Sequence, residues 1–180
     1  MSRSFAMDPA DRFTASAVGE PGQRTFFMQA WAGNQRCTLL AERQQVHILG
    51  EAVLQLLDNL PEGPEGPVPP PGSLDLEEPL DPEWRAGEMS IAYDGERDLV
   101  AITITEAIDP EAIDPEDPDA PETALIVLTR AQARAAAANA LEVVSRGRPR
   151  CQLCGNPMGP EGVHMCPASN GHRSHKDDDA

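Results

Sequence analysis

Two proline-rich acidic segments divide the chain and confine its hydrophobic core to the stretches between them. Residues 61–82 contain eight prolines and six acidic residues, and residues 106–122 contain four prolines and eight acidic residues. Segments with so few apolar side chains cannot bury enough surface to offset the conformational entropy that folding removes. We therefore predict flexible linkers over residues 61–85 and 106–122, and one modest core within residues 1–145.

Short apolar runs bounded by turn residues predict β-strands in the rest of this region. The turns between the runs include Gly33-Asn34 and Asp94-Gly95, which are typical of hairpins. Hairpins connect antiparallel neighbours. We therefore predict an antiparallel sheet, whose strands lie at residues 13–18, 24–32 and 35–42, twice within 86–105, and at 123–129.

Two stretches have the periodicity of an α-helix instead. In residues 44–57, apolar side chains recur every three or four positions, which indicates one amphipathic helix. Residues 130–145 follow Thr129, which forms a capping box with Gln132. We therefore predict a second helix over residues 130–145.

The two predicted helices belong to segments that match each other. Residues 39–57 and 126–144 have the same pattern at a constant offset, which places Gln45 on Gln132. We interpret the match as a pseudo-repeat of strands followed by a helix, with both helices packed on one sheet. The predicted fold class of residues 1–145 is therefore α+β.

The net charge of −16 conceals an asymmetry along the chain. Residues 1–129 carry a net charge of −18, whereas residues 130–176 carry +5. An isoelectric point near 4.4 argues against a general affinity for nucleic acids. The basic residues around the C-terminal cysteines leave nucleic-acid binding through the tail as a less favoured alternative; they are Arg146, Arg148, Arg150 and Arg173.

Neither membrane nor secretory segments are indicated. The chain has no stretch of about eighteen consecutive apolar residues, so we expect no membrane span. The first residues lack the apolar region and cleavage site of a secretory signal. Three of the four cysteines lie within sixteen residues, at a spacing typical of metal sites rather than of a disulfide framework. These features predict a cytoplasmic protein.

Residues 146–175 have the cysteine spacing of a zinc site. Two residues separate Cys151 from Cys154, and eleven residues separate Cys154 from Cys166. Zinc prefers thiolate and imidazole ligands in a tetrahedron, and two cysteines at this spacing can bind one ion from a tight turn. The segment has too few apolar residues to fold without a cross-link. We therefore predict a zinc-binding tail, with a redox pair or an unligated tail as alternatives, and disorder over 176–180.

A histidine is the expected fourth ligand. His164 is two residues from Cys166, whereas five residues separate His172 from Cys166, a spacing common in zinc fingers. We favour His164, with His172 as the alternative. Four protein ligands leave no open coordination position, so the predicted role of the zinc is structural and not catalytic.

Four segments that cover most of the chain outside the linkers resemble a known family. They are RTFFMQAWAGNQRCTLLAE, GEMSIAYDGERDLVAI, LTRAQARAAAANA and the ending GRPRCQLCGNPMGPEGVHMCPASNGHR. The chain resembles an uncharacterised family of actinobacterial proteins, described only as a domain of unknown function, whose ending has Cys-x-x-Cys-Gly and then His-x-Cys. That family often has tyrosine where His172 stands, so the resemblance implies His164 as the fourth ligand, although Val163 before it is a small departure. The resemblance implies no activity.

No motif in the sequence specifies a reaction. A glycine-rich phosphate loop, Gly-x-Ser-x-Gly and His-Glu-x-x-His are all lacking. Cys37 is expected to be a small buried hydrophobe rather than a nucleophile. We therefore predict a non-enzymatic binding or scaffold protein with a structural zinc site and a protein partner. The alternatives are an enzyme or enzyme subunit that acts on a small anionic metabolite between the two halves, and nucleic-acid binding through the tail.

Overall fold

The strands and helices form from the apolar stretches between the linkers. The computed structural model describes residues 3–108, 121–146, 151–156 and 166–167. Every predicted strand and helix is confirmed, with its ends shifted by two residues at most, and a three-residue strand at the beginning is added. The elements of the described residues are β1 (Phe5–Met7), β2 (Arg12–Val18), β3 (Thr25–Ala32), β4 (Gln35–Ala41), α1 (Arg43–Asp58), β5 (Trp84–Asp94), β6 (Leu99–Glu106), β7 (Thr123–Leu128) and α2 (Arg130–Ser145).

The first linker is slightly shorter than predicted. Strand β5 begins at Trp84, so two residues of the predicted 61–85 linker belong to the sheet. Residues 61–83 contain neither helix nor strand, in keeping with their proline content. Residues 109–120 of the second predicted linker lie outside the described residues, and the flexibility of both linkers stays a prediction.

The strands form one seven-stranded sheet in the order β1-β7-β6-β5-β4-β3-β2. The prediction of a purely antiparallel sheet was wrong, because the pairs β4–β5 and β1–β7 are parallel and the sheet is mixed. The β4–β5 pair is parallel because α1 and residues 59–83 form a long crossover between the two strands. A hairpin would have reversed the direction of the chain, whereas a crossover brings it back to the end of the sheet where β4 began.

The sheet has to curl, because a short connection joins its two end strands. Six strand spacings would separate β1 from β2 by about 29 Å in a flat sheet. Residues 8–11 between these strands can span at most about 18 Å. Within this connection, the Ala10 N–H donates to the Val127 carbonyl and the Asp11 N–H donates to the Trp31 carbonyl, each at 2.8 Å. The hydrophobic core lies on one face of the curled sheet, where both helices pack.

The order of three strands followed by one helix occurs twice, as β2-β3-β4-α1 and β5-β6-β7-α2. Both helices begin with a capping box whose glutamine accepts a hydrogen bond from the N-cap N–H. Gln45 accepts from Glu42 at 2.8 Å, and Gln132 accepts from Thr129 at 2.9 Å. The capping box predicted at Thr129 is therefore confirmed. Neither helix of the described residues has the length and apolar content that a bilayer crossing requires.

The two helices contact each other at Gly50. A Cβ atom on Gly50 would lie 2.9 Å from the Leu141 Cγ and 3.1 Å from the Ala137 carbonyl oxygen. The second distance matters more, because a backbone carbonyl cannot rotate away as the end of a side chain can. The glycine therefore sets how closely the two halves of the protein pack.

The substitution Gly50→Ala should destabilise the protein although alanine is the better helix former. Alanine gains about 1 kcal/mol of helix propensity over glycine, whereas overpacking a tight contact costs about 1–3 kcal/mol. We expect a net loss of up to about 2 kcal/mol in the free energy of unfolding, measured by urea denaturation. In a Leu141→Ala background, Gly50→Ala should cost less than in wild type but should still destabilise, because the Ala137 carbonyl stays. A Gly50→Ala protein as stable as the wild type would contradict the contact.

Candidate metal centre

Three cysteine side chains come together at the C-terminal side of the chain. The Sγ atoms of Cys151, Cys154 and Cys166 all lie within 4.8 Å of one another. Cys166 is buried and the other two are half-buried. The Sγ atoms of Cys151 and Cys166 are 3.8 Å apart, far beyond the length of about 2.05 Å of a disulfide bond. The structure therefore brings together the three predicted thiol ligands as separate thiols.

A tight turn positions the first two cysteines. The Cys151 N–H donates to the Asn156 carbonyl at 2.8 Å, and the Gly155 N–H donates to the Cys151 carbonyl at 2.9 Å. Gly155 has a φ of +71°, in the left-handed region that glycine adopts without strain. The Leu153 N–H points at the Cys151 sulfur at 3.4 Å. The backbone thus closes on itself and turns both sulfur atoms to the same side.

The spacing of the sulfur atoms fits a four-coordinate metal ion. With metal–sulfur bonds of about 2.3 Å, two thiolates on a tetrahedron are about 3.8 Å apart. The distance between the Cys151 and Cys166 sulfur atoms is 3.8 Å. The three thiols could therefore hold one metal ion without a large rearrangement, and one further ligand would complete the tetrahedron.

The surroundings of the thiols shift the pKa values of Cys151 and Cys154 in opposite directions. Hydrogen bonds from the backbone N–H groups of Cys154 and Leu153 lower the pKa of Cys151. At Cys154, the Asn156 backbone N–H favours the thiolate, but burial and the neighbouring Cys166 and Cys151 thiols outweigh it and raise the pKa. Several thiolates this close repel each other unless a cation lies between them, which is what a bound metal ion supplies.

The predicted fourth ligand cannot be placed. His164 and its alternative His172 both lie outside the described residues, so the choice between them stays a prediction. The same holds for Arg148, Arg150 and Arg173 of the basic tail. Arg146 is described at the end of α2, where it forms an ion pair with Glu142 one helical turn earlier.

Two other side chains with reactive groups, Cys37 and His47, lie in β4 and α1. Cys37 is buried in β4, and burial, followed by the negative charge of Glu83, raises its pKa to about 12. Its thiol therefore stays protonated at neutral pH, as a small hydrophobe does, and the interpretation of Cys37 is supported. His47 lies on the exposed side of α1, with its Nε2 atom 3.5 Å from Glu51.

Two polar clusters in the described residues were not predicted from the sequence. One surrounds Arg130 at the start of α2, and the other surrounds Gln29 in the middle of β3; both residues are buried. A signal for Gln29 was present, since it interrupts the apolar run of its strand. Arg130 had no such signal, because arginine at a helix start is usually solvated.

The comparisons with known proteins give a family but no activity. A family model described as "Protein of unknown function (DUF3090)" matches residues 5–166, a range that includes all three clustered cysteines. The resemblance to a domain of unknown function is thereby confirmed. Nothing among the curated proteins or the solved structures matches the chain.

Proposed function

We propose that this chain, which belongs to the DUF3090 family of proteins of unknown function, is a non-enzymatic binding or scaffold protein with a structural zinc site. The observation that carries the proposal is the group of three thiols at the edge length of a metal–thiolate tetrahedron. The zinc ion would be held by Cys151, Cys154, Cys166 and His164, with His172 as the alternative fourth ligand. We further propose that the protein is cytoplasmic, where thiolate sites persist.

Zinc fits the donor set better than other common ions. Thiolates are soft ligands, which select zinc or iron–sulfur chemistry over magnesium or calcium. The turn at Cys151–Gly155 brings two sulfur atoms to one ion, as in zinc ribbons and related structural sites. With a histidine as fourth ligand, the ion has no open position for a substrate, so its role is to fold the tail.

The body of the protein supports a scaffold role because its helices are firmly packed. Two arginines donate to the last carbonyls of α2, Arg24 to Val143 and Arg43 to Val144, each at 3.1 Å. The helix end from which the zinc tail continues is therefore fixed. The enzyme alternative requires a cleft between the two halves, and the close contact of the helices at Gly50 counts against it. No described contact favours nucleic-acid binding.

Native mass spectrometry of the protein purified from its own host tests the proposal. We expect one zinc ion per chain and a specific protein partner in the same complex. Chelation of the zinc should release the partner, and added zinc should restore the complex. Cys151→Ser should abolish both zinc and partner binding, whereas the matched control Cys37→Ala should retain both.

Two results would contradict this proposal in different ways. A tail that carries no zinc under reducing conditions would exclude the structural site. If Cys151→Ser lost its zinc but still bound the partner as well as wild type does, the zinc site would stand, and its role in presenting the partner surface would be excluded. Turnover of a small metabolite by the purified protein would favour the enzyme alternative instead.

A further inference from the structure

The face of β2, β3 and β4 opposite the core carries a row of buried polar side chains. Thr14, Gln29 and Thr38 are cross-strand neighbours on this face, and each is at most 2 % exposed. Buried polar groups need hydrogen-bond partners. Gln29 and Thr14 find partners in residues 72–78 of the first linker, which we call the strap; Thr14 also accepts from Asn139 of α2 at 3.4 Å, and Thr38 pairs with Gln29. The row and its flanking arginines form what we call the groove.

Gln29 holds the strap as a neighbouring strand would. Its side-chain amide donates to the Glu77 carbonyl at 2.9 Å and accepts from the Glu77 N–H at 2.9 Å. The same amide nitrogen donates to the Thr38 hydroxyl at 3.0 Å. Thr14 adds a further contact, because its hydroxyl donates to the Leu74 carbonyl at 2.6 Å. The contacts of Gln29 and Thr14 with the strap are to backbone atoms, and the Leu74 side chain also packs against the core.

Arginines supply the remaining contacts at both ends of the strap. The Arg12 guanidinium donates to the carbonyls of Ser73 and Asp75, forms an ion pair with Glu77, and lies 4.0 Å from the centre of the Trp31 ring. Arg36 donates to the Glu78 carbonyl at 3.2 Å. The strap contains three acidic residues, so its charge is opposite to that of the groove.

The fit between strap and groove is incomplete. Trp31 Nε1 and Ser73 Oγ are buried and have no hydrogen-bond partner among the described residues. Both belong to residues that Arg12 contacts. Buried donors without acceptors weaken a contact, so a different peptide with an acceptor at this position would bind the groove better than the strap does.

We propose that the groove is a docking site for an extended acidic peptide of a partner protein, and that the strap occupies it in the free protein. The groove recognises the extended backbone through Gln29 and Thr14, and it selects acidic side chains through Arg12. The partner's peptide displaces the strap because it satisfies the Trp31 indole. This proposal does not depend on the zinc site.

A fluorescent peptide with the sequence of residues 70–80 tests the groove in the full chain. The strap variant carries Glu77→Pro, which removes the backbone N–H that Gln29 accepts, together with Asp75→Ser and Glu78→Ser, which remove acidic charge. We expect it to bind the peptide at least about tenfold more tightly than wild type, because the tethered strap competes at millimolar effective concentration. N-methylation of the peptide at the Glu77 position removes the N–H that Gln29 accepts, and should weaken binding about tenfold. A folded strap variant that ignores the peptide would overturn the proposal.

Hydrogen exchange in the wild-type chain gives a second readout that does not depend on the strap variant folding. The strap has to open for a partner to enter, so the Glu77 amide should exchange through a local opening. It should exchange at least about a hundredfold faster than the Ile102 amide in the centre of β6, which opens only on global unfolding. Equal protection of the two amides would show that the strap never leaves the groove, and would overturn the proposal.

Discussion

The substitution Arg130→Met should lower the melting temperature by roughly 10 °C, because it removes one partner from a buried charged network. Arg130 is 5 % exposed. Its Nε donates to the Asp98 carboxylate at 2.7 Å, one terminal nitrogen donates to the Pro61 carbonyl at 2.8 Å, and the other donates to the Tyr93 hydroxyl at 3.0 Å. Methionine fills a similar volume but removes one donor from each of these three acceptors.

The network stabilises several parts of the fold at once. Asp98 belongs to the β5–β6 turn and has a φ of +55°, which is unfavourable for a residue with a side chain. The Tyr93 hydroxyl donates to the same Asp98 oxygen that Arg130 contacts. Pro61 is the first residue of the first linker. Arg130 therefore connects the start of α2 with the β5–β6 hairpin and with the first linker. Its loss should destabilise all three.

A matched control distinguishes this buried network from an ordinary surface ion pair. Arg134 lies one turn later on α2, is 41 % exposed, and pairs with Asp58 and Glu65. Arg134→Met should lower the melting temperature by about 2 °C at most. If Arg130→Met lowered the melting temperature by only about 2 °C, the network would contribute little to the stability of the fold.

The pH dependence follows from the direction of the shift at Asp98. Hydrogen bonds from Tyr93 and then from Arg130 lower the pKa of Asp98. A carboxyl whose folded pKa is lowered stabilises the fold above its unfolded pKa of about 3.9, and the contribution is lost as the pH falls through the folded pKa. Wild type should therefore lose more stability than Arg130→Met between pH 5 and pH 3, measured by thermal unfolding at each pH. Parallel losses would show that Arg130 does not contribute to the lowered pKa of Asp98.

The sequence predicted local structure better than it predicted how the elements meet. The hairpin at Asp94-Gly95 and the capping box at Thr129 are encoded by residues that lie next to each other, so turn and capping rules identify them. The parallel pairing of β4 with β5 depends on where a long crossover places the chain, which no local pattern specifies. The curl of the sheet depends on β1, whose three residues are too few to show a periodicity.

The polar clusters illustrate the same limit at the level of side chains. Gln29 was visible as a polar residue in an apolar strand, but its partner Glu77 lies 48 residues away in a segment with no pattern. The thiol cluster was the easier case, because two of its ligands are neighbours and the chemistry of thiolates restricts the alternatives. The short distance between the Cys151 and Cys166 sulfur atoms could not be predicted in this way, since Cys166 is fifteen positions away in the sequence.

The largest expected effect in the tail is the loss of zinc from Cys166→Ser. Structural zinc sites bind their ion through all four ligands together, so removal of one thiolate should weaken zinc binding by about a hundredfold or more. Competition with a chromophoric chelator at neutral pH measures this change. The control Cys37→Ala removes a thiol of equal size from the core, where its raised pKa keeps it protonated, and should leave zinc affinity unchanged.

The same titration identifies the fourth ligand. If His164 binds the ion, His164→Ala should weaken zinc binding by a similar factor, and His172→Ala should have no effect; the reverse result would assign His172. Zinc binding should also weaken as the pH falls, because protons compete with the metal for each thiolate. If Cys166→Ser bound zinc as tightly as wild type, the third thiol would not be a ligand, and the Cys151–Cys154 pair would have to be reconsidered as a redox site.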